Sequence, residues 1–308
     1  MVIVYLELII MIFVWSFSFI IVDIAVEFIP PISIALYRFI VVSLTFLILD
    51  LYFKFYGKKG FINKSNSERK ITFSRSDWIL LLLASLTGIS LFFFAQYSAI
   101  ELIGPSLPAL FVCLLAPVII SILALIFFKE NLNILKIIGF IIATLGAFLL
   151  VTGGDINTLT PDSPNFIGYL FALITPLLWA IYSTSTKKIT KSSSSIIMNK
   201  YIAYIGTLEL FIFVIINGEF LVFITNFLNI LLFLCALYLG LACYVLGYYI
   251  WQNSQKILKS SKVASFLYIE PFLTLLFSFL LQRSETILLW NVLGGVIVLI
   301  AVLMINYK

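Results

Sequence analysis

The sequence predicts an all-α integral membrane protein in which ten transmembrane helices form two inverted five-helix repeats. Three observations support this prediction. Of the 308 residues, 63% are hydrophobic and 11% are charged, with a mean hydropathy of +1.18; a soluble domain has about 45 to 50% apolar and about 25% charged residues. Basic residues collect in alternate loops. A set of three residues recurs in the second half of the chain.

A helix needs about 20 apolar residues to cross the hydrocarbon of a bilayer. Apolar stretches, cut at charges and turn residues, give ten predicted spans: 2–21, 31–50, 78–99, 107–128, 133–152, 166–186, 197–216, 229–253, 263–281 and 287–306. We therefore predict a first five-helix repeat over 1–152, an outer linker over 153–165 and a second repeat over 166–308.

The distribution of charge predicts the orientation, because Lys and Arg collect in short cytoplasmic loops. With the N-terminus inside, the inner segments receive every basic residue of the chain except Arg38, which lies within the second span, and Arg283, which lies outside. Acidic residues lie mostly in the outer segments, for example Asp23 and Glu219. We expect a multi-pass protein of the cell membrane with both termini cytoplasmic. Five spans in each half give the halves opposite orientations.

The recurring set consists of a proline, a glutamate and a glycine. It reads Pro117, Glu130 and Gly139 in the first half, and Pro271, Glu285 and Gly294 in the second. The spacings are 13 and 9 residues in the first set and 14 and 9 in the second. Membrane proteins built from two related halves are often transporters, whose halves rock about a shared central site.

Aromatic residues occupy equivalent positions deep in the spans of the two halves. Trp15 corresponds to Trp179 in the first helix of each half, and Tyr97 to Trp251 in the third. Aromatic faces attract cations and apolar groups, so these residues are candidates to line an amphipathic substrate cavity. Further candidates are Tyr182, Tyr248, Gln96 and Asn253. Core packing is the alternative interpretation.

Several short motifs occur in a fixed order along nearly the whole chain. They are Trp15-Ser16-Phe17-Ser18-Phe19, Ala35-Leu36-Tyr37-Arg38-Phe39, Lys129-Glu130, Gly139-Phe140 and Glu270-Pro271. With ten spans in two halves, the chain resembles the drug/metabolite transporter superfamily in its ten-helix EamA-type branch. The resemblance implies a solute carrier with two inverted repeats around a central cavity, often exporting amino acids or other small metabolites.

Ionisable residues within a span are costly, about 2.5 to 3.5 kcal/mol at the helix centre on insertion scales, so each needs a reason. Arg38 has a fork that suits a substrate carboxylate; a structural lock to a helix carboxylate or to backbone carbonyls is the alternative. Glu270 precedes Pro271, which frees a backbone carbonyl one turn earlier. It could bind a substrate amine or take up a coupling proton, or serve as a gate or packing residue.

Two other carboxylates are candidates for proton coupling. Glu209 lies in the middle of the seventh span, whereas Glu7 is close enough to the inner end of the first span to reach water. Pro117 and Pro271 are candidate kink or gating positions, because a proline inside a helix removes a hydrogen bond.

The composition argues against an enzyme. The chain has no histidine, which excludes histidine metal sites and Ser-His or Cys-His nucleophiles. We expect no cofactor, no metal site and no nucleic-acid partner. The expected partners are a small-molecule solute, the lipid bilayer, and protons or an exchanged solute. Cys113, Cys235 and Cys243 lie inside spans, where small apolar filler is the expected role.

The sequence therefore predicts a secondary active transporter, in the exporting direction, for small organic solutes such as amino acids or related metabolites. It would work by alternating access between the two repeats. A passive channel or a lipid-moving carrier is the alternative, and a membrane-embedded lipid enzyme is a more distant one. A channel is disfavoured because the charges are scattered rather than arranged in a ring.

Overall fold

The computed structural model describes residues 2–56, 73–130, 133–152, 166–190, 193–283 and 289–306, and within these ranges all regular secondary structure is helical. The described part contains ten long helices. They are α1 (Val2–Val26), α2 (Pro31–Tyr56), α3 (Arg75–Ile103), α4 (Ser106–Phe128), α5 (Ile134–Thr152), α6 (Phe166–Thr190), α7 (Ser195–Ile216), α8 (Ile230–Ile257), α9 (Ser260–Leu280) and α10 (Leu289–Asn306). Eight are long and apolar enough to cross a membrane, and α5 and α10 contribute shorter apolar stretches. A short helix over Phe220–Asn226 separates α7 from α8.

Each predicted span corresponds to one of these helices, although several helices are longer than predicted. The prediction ended the first span at residue 21 and the sixth at residue 186, just before Asp23 and Lys187. In the structure both side chains are in ion pairs, Asp23 with Arg283 and Lys187 with Glu130. A paired charge is less costly than an isolated one, so the helices continue through these positions.

The third helix of each half contains a π-helical segment. Leu86–Ser90 in α3 precedes Tyr97, and Tyr238–Tyr248 in α8 precedes its repeat equivalent Trp251. The backbone of each segment accepts a hydrogen bond from an aromatic side chain of another helix. Tyr248 donates to the carbonyl of Gly88 at 3.2 Å, and Trp15 Nε1 donates to the carbonyl of Cys243 at 3.0 Å. Segments of this kind are frequent at functional sites.

Helices α5 and α10 pack on each other at the periphery of the bundle. A Cβ placed on Gly146 would stand 2.7 Å from the Ile297 side chain, so the absence of a side chain permits the close approach. Phe140, Ala143, Val298 and Ala301 form the hydrophobic contact beside it. Small residues thus bring these two helices together, as they commonly do in membranes.

The two halves share one hydrophobic core. A single cluster of buried side chains includes Leu8, Phe39 and Ala116 from the first half and Tyr244 and Trp251 from the second. Helix α4 packs against α6, and α1 against α9, so each of these contacts joins one half to the other. The central space of the bundle is therefore enclosed by helices of both halves.

Candidate functional site

A small cavity lies where the two halves meet, with a volume of about 40 Å³. Its walls come from α1, α2, α3, α4, α6, α8 and α9. The lining residues are Trp15, Ser18, Phe19, Arg38, Phe92, Phe93, Gln96, Val112, Trp179, Cys243, Tyr248, Leu267 and Glu270. Six of the ten predicted substrate-binding residues are among them: Trp15, Arg38, Gln96, Trp179, Tyr248 and Glu270. We call this space the central cavity.

Aromatic rings form one wall of the central cavity. Trp15 meets Trp179 edge to face, with ring centroids 5.4 Å apart and an interplanar angle of 88°. Tyr248 contacts both indoles, at 5.8 Å from Trp15 and 5.4 Å from Trp179. The indole nitrogen of Trp179 is buried and has no hydrogen-bond partner among the described residues. The wall therefore presents apolar faces and one available N–H donor.

Arg38 contributes a buried positive charge, with 2% of the residue exposed. Its NH1 donates to the Tyr97 hydroxyl at 2.5 Å, and the guanidinium lies 4.2 Å from the centroid of the Phe93 ring and 5.1 Å from that of Phe39. Within the described ranges no carboxylate forms a salt bridge with it, and its Nε has no hydrogen-bond partner. Arg38 thus retains donor capacity inside the cavity.

Glu270 contributes a buried carboxyl group, with 4% of the residue exposed. The Cys113 thiol donates to its Oε2 at 3.2 Å. The residue begins the regular part of α9, directly after a 3-10 stretch over Ser265–Ile269, and Pro271 occupies the first turn of that part. Glu270 therefore lies at a change of helix type, where the backbone is less regular.

The two candidate kink positions, Pro117 and Pro271, lie in different backbone surroundings. Pro271 follows the 3-10 stretch of α9, whereas Pro117 lies inside α4, which continues as an α-helix on both sides. The Pro117 carbonyl accepts a hydrogen bond from Ser121 Oγ at 2.7 Å. Only α9 therefore changes helix type beside its proline.

The other four predicted substrate-binding residues lie outside the wall of the cavity. Tyr97 orients Arg38, as described above. Tyr182 and Trp251 pack behind Trp179, with centroids 5.0 and 5.5 Å from its ring. Their polar atoms are bonded, because Gln252 Nε2 donates to the Tyr182 hydroxyl at 2.7 Å and Trp251 Nε1 donates to Ser183 Oγ at 3.1 Å. Asn253 is half-buried and accepts from Ser195 Oγ at 3.2 Å.

The two further proton-coupling candidates are also away from the central cavity. Glu209 lies on α7, and its Oε2 accepts hydrogen bonds from Ser85 Oγ at 2.9 Å and from Ser90 Oγ. Ser85 directly precedes the π-helical segment of α3, and Ser90 is its last residue. Glu7 is half-buried near the start of α1 and does not line the cavity. Of the three candidate carboxylates, Glu270 is the one in the cavity wall.

Sequence reasoning missed several residues of the site. Phe92 and Phe93 line the cavity on α3, but nothing separates them from the other phenylalanines of the spans. Cys113 and Cys243 are corrections to the expectation of apolar filler, since one thiol bonds to Glu270 and the other residue lines the cavity. Their roles depend on contacts between distant segments, which local sequence does not show.

Comparison with known proteins places this architecture in a family. The model of the EamA-like transporter family matches residues 2–152 and 166–307. The chain belongs to the EamA-like transporter family. The two matched segments correspond to the two five-helix halves, and the drug/metabolite transporter resemblance is confirmed.

Individual relatives agree with this family. An uncharacterized transporter of Archaeoglobus fulgidus is 24% identical over 300 residues, covering 96% of this chain and 94% of its own length. The uncharacterized transporter YyaM of Bacillus subtilis is 26% identical over 189 residues, 61% of this chain and 60% of its own. A solved crystal structure aligns over 98% of this chain and 96% of its own with a TM-score of 0.67 and 15% identity, which shows the shared fold.

The chemistry that this EamA-like site offers is binding. Among the residues that the structure describes, no group of three or more His, Cys, Asp or Glu side chains could hold a metal ion. The central cavity has one cationic group, one carboxyl group, an indole donor and aromatic faces. Apolar and aromatic walls with a small number of polar groups are typical of small-molecule sites.

Proposed function

We propose that this transporter is a secondary active carrier that exports small organic solutes, such as amino acids or related metabolites, by alternating access between its two halves. The observation that carries the proposal is the position of Arg38 and Glu270 in the wall of one buried cavity. Burying two ionisable side chains in a membrane protein is costly, and such residues commonly mark substrate and ion pathways.

The two side chains have complementary chemistry. The guanidinium of Arg38 would bind a solute carboxylate through its free Nε, while Glu270 would bind an amine. The indoles of Trp15 and Trp179 would contact the apolar part of the solute. Because the cavity volume is about 40 Å³, enough for only a few water molecules, the halves must move apart before a solute of amino-acid size enters.

Proton coupling is assigned to Glu270 in this proposal. A carboxylate in the cavity wall would contact the solute and would exchange protons with the solution on the open side. Its protonation can therefore depend on which face is open. Binding of the solute amine and binding of a proton would compete for Glu270. That competition would exchange one proton for one solute molecule in each cycle.

The test is counterflow in proteoliposomes. Vesicles loaded with unlabelled amino acids receive a pooled radiolabelled mixture outside, and a carrier accumulates label transiently with a saturable rate. Arg38→Ala and Glu270→Gln should abolish accumulation, whereas the exposed residues Arg75 and Glu101 provide matched controls as Arg75→Ala and Glu101→Gln. Full activity in both cavity variants would remove the site assignment, and label entry without saturation would indicate a channel.

A further inference from the structure

Two partly buried ion pairs join the halves of the protein at opposite faces of the bundle, in addition to the more exposed pair between Asp50 and Lys200. One connects Glu130, after α4, to Lys187, near the end of α6. The other connects Asp23, near the end of α1, to Arg283, after α9. The first lies at the face where α1 begins, which we call the N-terminal face, and the second lies at the opposite face. Each pair therefore bridges a helix of one repeat and a helix of the other.

The pair at the N-terminal face belongs to a hydrogen-bonded group of three residues. Lys187 Nζ contacts Glu130 Oε1 and donates to Ser260 Oγ at 2.6 Å, and the Ser260 N–H donates to the same carboxylate oxygen at 3.1 Å. The side chains of Lys187 and Glu130 are only 11% and 10% exposed. The contact thus ties the end of α4, the end of α6 and the start of α9 together.

The pair at the opposite face ties α1 to the segment after α9. Arg283 Nε donates to Asp23 Oδ2 at 2.7 Å, and Arg283 NH2 also contacts the carboxylate of Glu27, the residue directly after α1. The Asp23 side chain is 16% exposed. Arg283 therefore holds the end of α1 through its Nε and one terminal nitrogen, NH2.

The helical partners of the two pairs occupy the same position in the two repeats. Asp23 comes eight residues after Trp15, and Lys187 comes eight residues after the equivalent residue Trp179. Eight residues of α-helix span about 12 Å. Each charged residue therefore lies about two turns from the central cavity, one toward each face.

The partners in the loops are equivalent as well. Lys129 follows the end of α4 in a left-handed conformation, with φ of 53°, and Glu130 is the next residue. Gln282, with φ of 56°, lies two residues after the end of α9, and Arg283 is the next residue. By this backbone geometry Arg283 takes the place of Glu130, whereas Glu285, which the sequence pairs with Glu130, lies outside the described residues. The first repeat supplies the two carboxylates, Asp23 and Glu130, and the second supplies the two cations, Lys187 and Arg283. The pairing is therefore retained although the charge at each equivalent position is reversed.

From this symmetry we infer that Glu130–Lys187 and Asp23–Arg283 are the two gates of the transporter, and that they break in alternation. The inference rests on the carrier function proposed above. With both pairs formed, the central cavity is closed at both faces. Separation of α6 from α4 would open it to the N-terminal face, and separation of α1 from α9 would open it to the opposite face.

The chain provides a reporter for this movement, because Cys243 lines the central cavity. Replacing the other two cysteines, as Cys113→Ser, whose hydroxyl can still donate to Glu270, and Cys235→Ala, leaves one thiol. Labelling of Cys243 by a charged, membrane-impermeant methanethiosulfonate reagent then measures access from whichever face the reagent is added. An epitope tag at the N-terminus identifies that face in sealed vesicles.

Each gate variant should change access from one face only. In the single-thiol protein, Lys187→Ala should accelerate labelling from the N-terminal face by about tenfold, and Arg283→Ala should do so from the opposite face; tenfold corresponds to about 1.4 kcal/mol. The double charge reversal Glu130→Lys with Lys187→Glu should restore slow labelling. Lys200→Ala, which breaks the surface pair with Asp50, is the control and should change neither rate.

Unchanged labelling rates in both gate variants, or equal acceleration from both faces, would overturn the assignment of the gates. Thermal unfolding of each variant in detergent separates gating from general loosening, because a gate variant changes access while it keeps a cooperative transition. The labelling needs no solute. Failure of the gates is therefore distinguishable from failure of the proposed function, which would appear as one-sided labelling together with an absence of counterflow.

Discussion

Trp15 and Trp179, which hold the same position in the two repeats, meet edge to face with ring centroids 5.4 Å apart. Each is about two helical turns from one of the two ion pairs proposed as gates, Asp23–Arg283 and Glu130–Lys187. The centre of the duplicated architecture thus coincides with the wall of the central cavity. The two tryptophans that are equivalent in the internal repeat therefore meet in the wall of the candidate site.

The first prediction concerns Tyr97, the hydroxyl of which is the acceptor for Arg38. Tyr97→Phe removes this hydrogen bond and leaves a buried guanidinium with fewer partners, at a cost of about 1 to 3 kcal/mol. We expect a raised KM for counterflow with a smaller change in the maximal rate, because Arg38 is no longer oriented toward the solute. Tyr201→Phe, at a ring cluster away from the cavity, is the control. An unchanged KM would argue against a positioning role.

The second prediction separates the two buried carboxylates. Glu270→Gln should abolish uptake driven by a pH gradient, because a glutamine cannot exchange a proton. Glu209→Gln should retain gradient-driven uptake, because Glu209 is hydrogen-bonded to Ser85 and Ser90 away from the cavity. The measurement compares uptake into proteoliposomes with and without an imposed pH gradient. Loss of the gradient response in Glu209→Gln alone would move proton coupling to α7.

The third prediction is a pH dependence at the N-terminal gate. Burial raises the pKa of Glu130, but the hydrogen bonds from Lys187 and from the Ser260 N–H outweigh it and hold the pKa below its ordinary value. A carboxyl group with a lowered folded pKa stabilises the folded state above its unfolded pKa, about 4.3, and this stability is lost as the pH falls through the folded value.

We therefore expect labelling of Cys243 from the N-terminal face to accelerate as the pH falls below about 4. The reagent rate is normalised to a small thiol measured at the same pH. Glu130→Gln should give fast labelling at neutral pH with little further acceleration. A parallel pH response in the wild type and in Glu130→Gln would contradict this account.

The fourth prediction concerns the contact between α1 and α8. A Cβ on Gly247 would stand 2.3 Å from Trp15 Nε1 and 3.1 Å from Cε2, so Gly247→Ala must displace the indole. Overpacking of this kind costs about 1 to 3 kcal/mol. We expect a lower thermal unfolding midpoint and reduced counterflow. Gly206→Ala, which meets Ile89 rather than a cavity residue, should lower the midpoint while it retains transport.

Much of the fold was predictable from sequence, because long apolar stretches and alternating basic loops depend on local composition. The ends of α1 and α6 were predicted too early, since Asp23 and Lys187 are charges whose partners lie far away in sequence. The π-helical segments at Leu86–Ser90 and Tyr238–Tyr248 carry no proline or charge that would indicate them.

The site was predictable in part for a similar reason. A charge or a repeated tryptophan stands out in an apolar span, so the sequence singles out Arg38, Glu270, Trp15 and Trp179, which line the central cavity. Phe93 resembles its neighbours in sequence, and its role depends on the guanidinium that packs on it. Tyr182 and Trp251 resemble cavity residues by type and position, but they pack one layer behind the wall.

The most direct test of the central claim is protection of Cys243 by the transported solute. In the single-thiol protein, a solute that shows counterflow should slow labelling of Cys243, with half-maximal protection near its KM, because the thiol and the solute share the central cavity. Protection should be lost in Arg38→Ala. Saturable counterflow without any protection of Cys243 would show that the solute crosses elsewhere and would contradict the account.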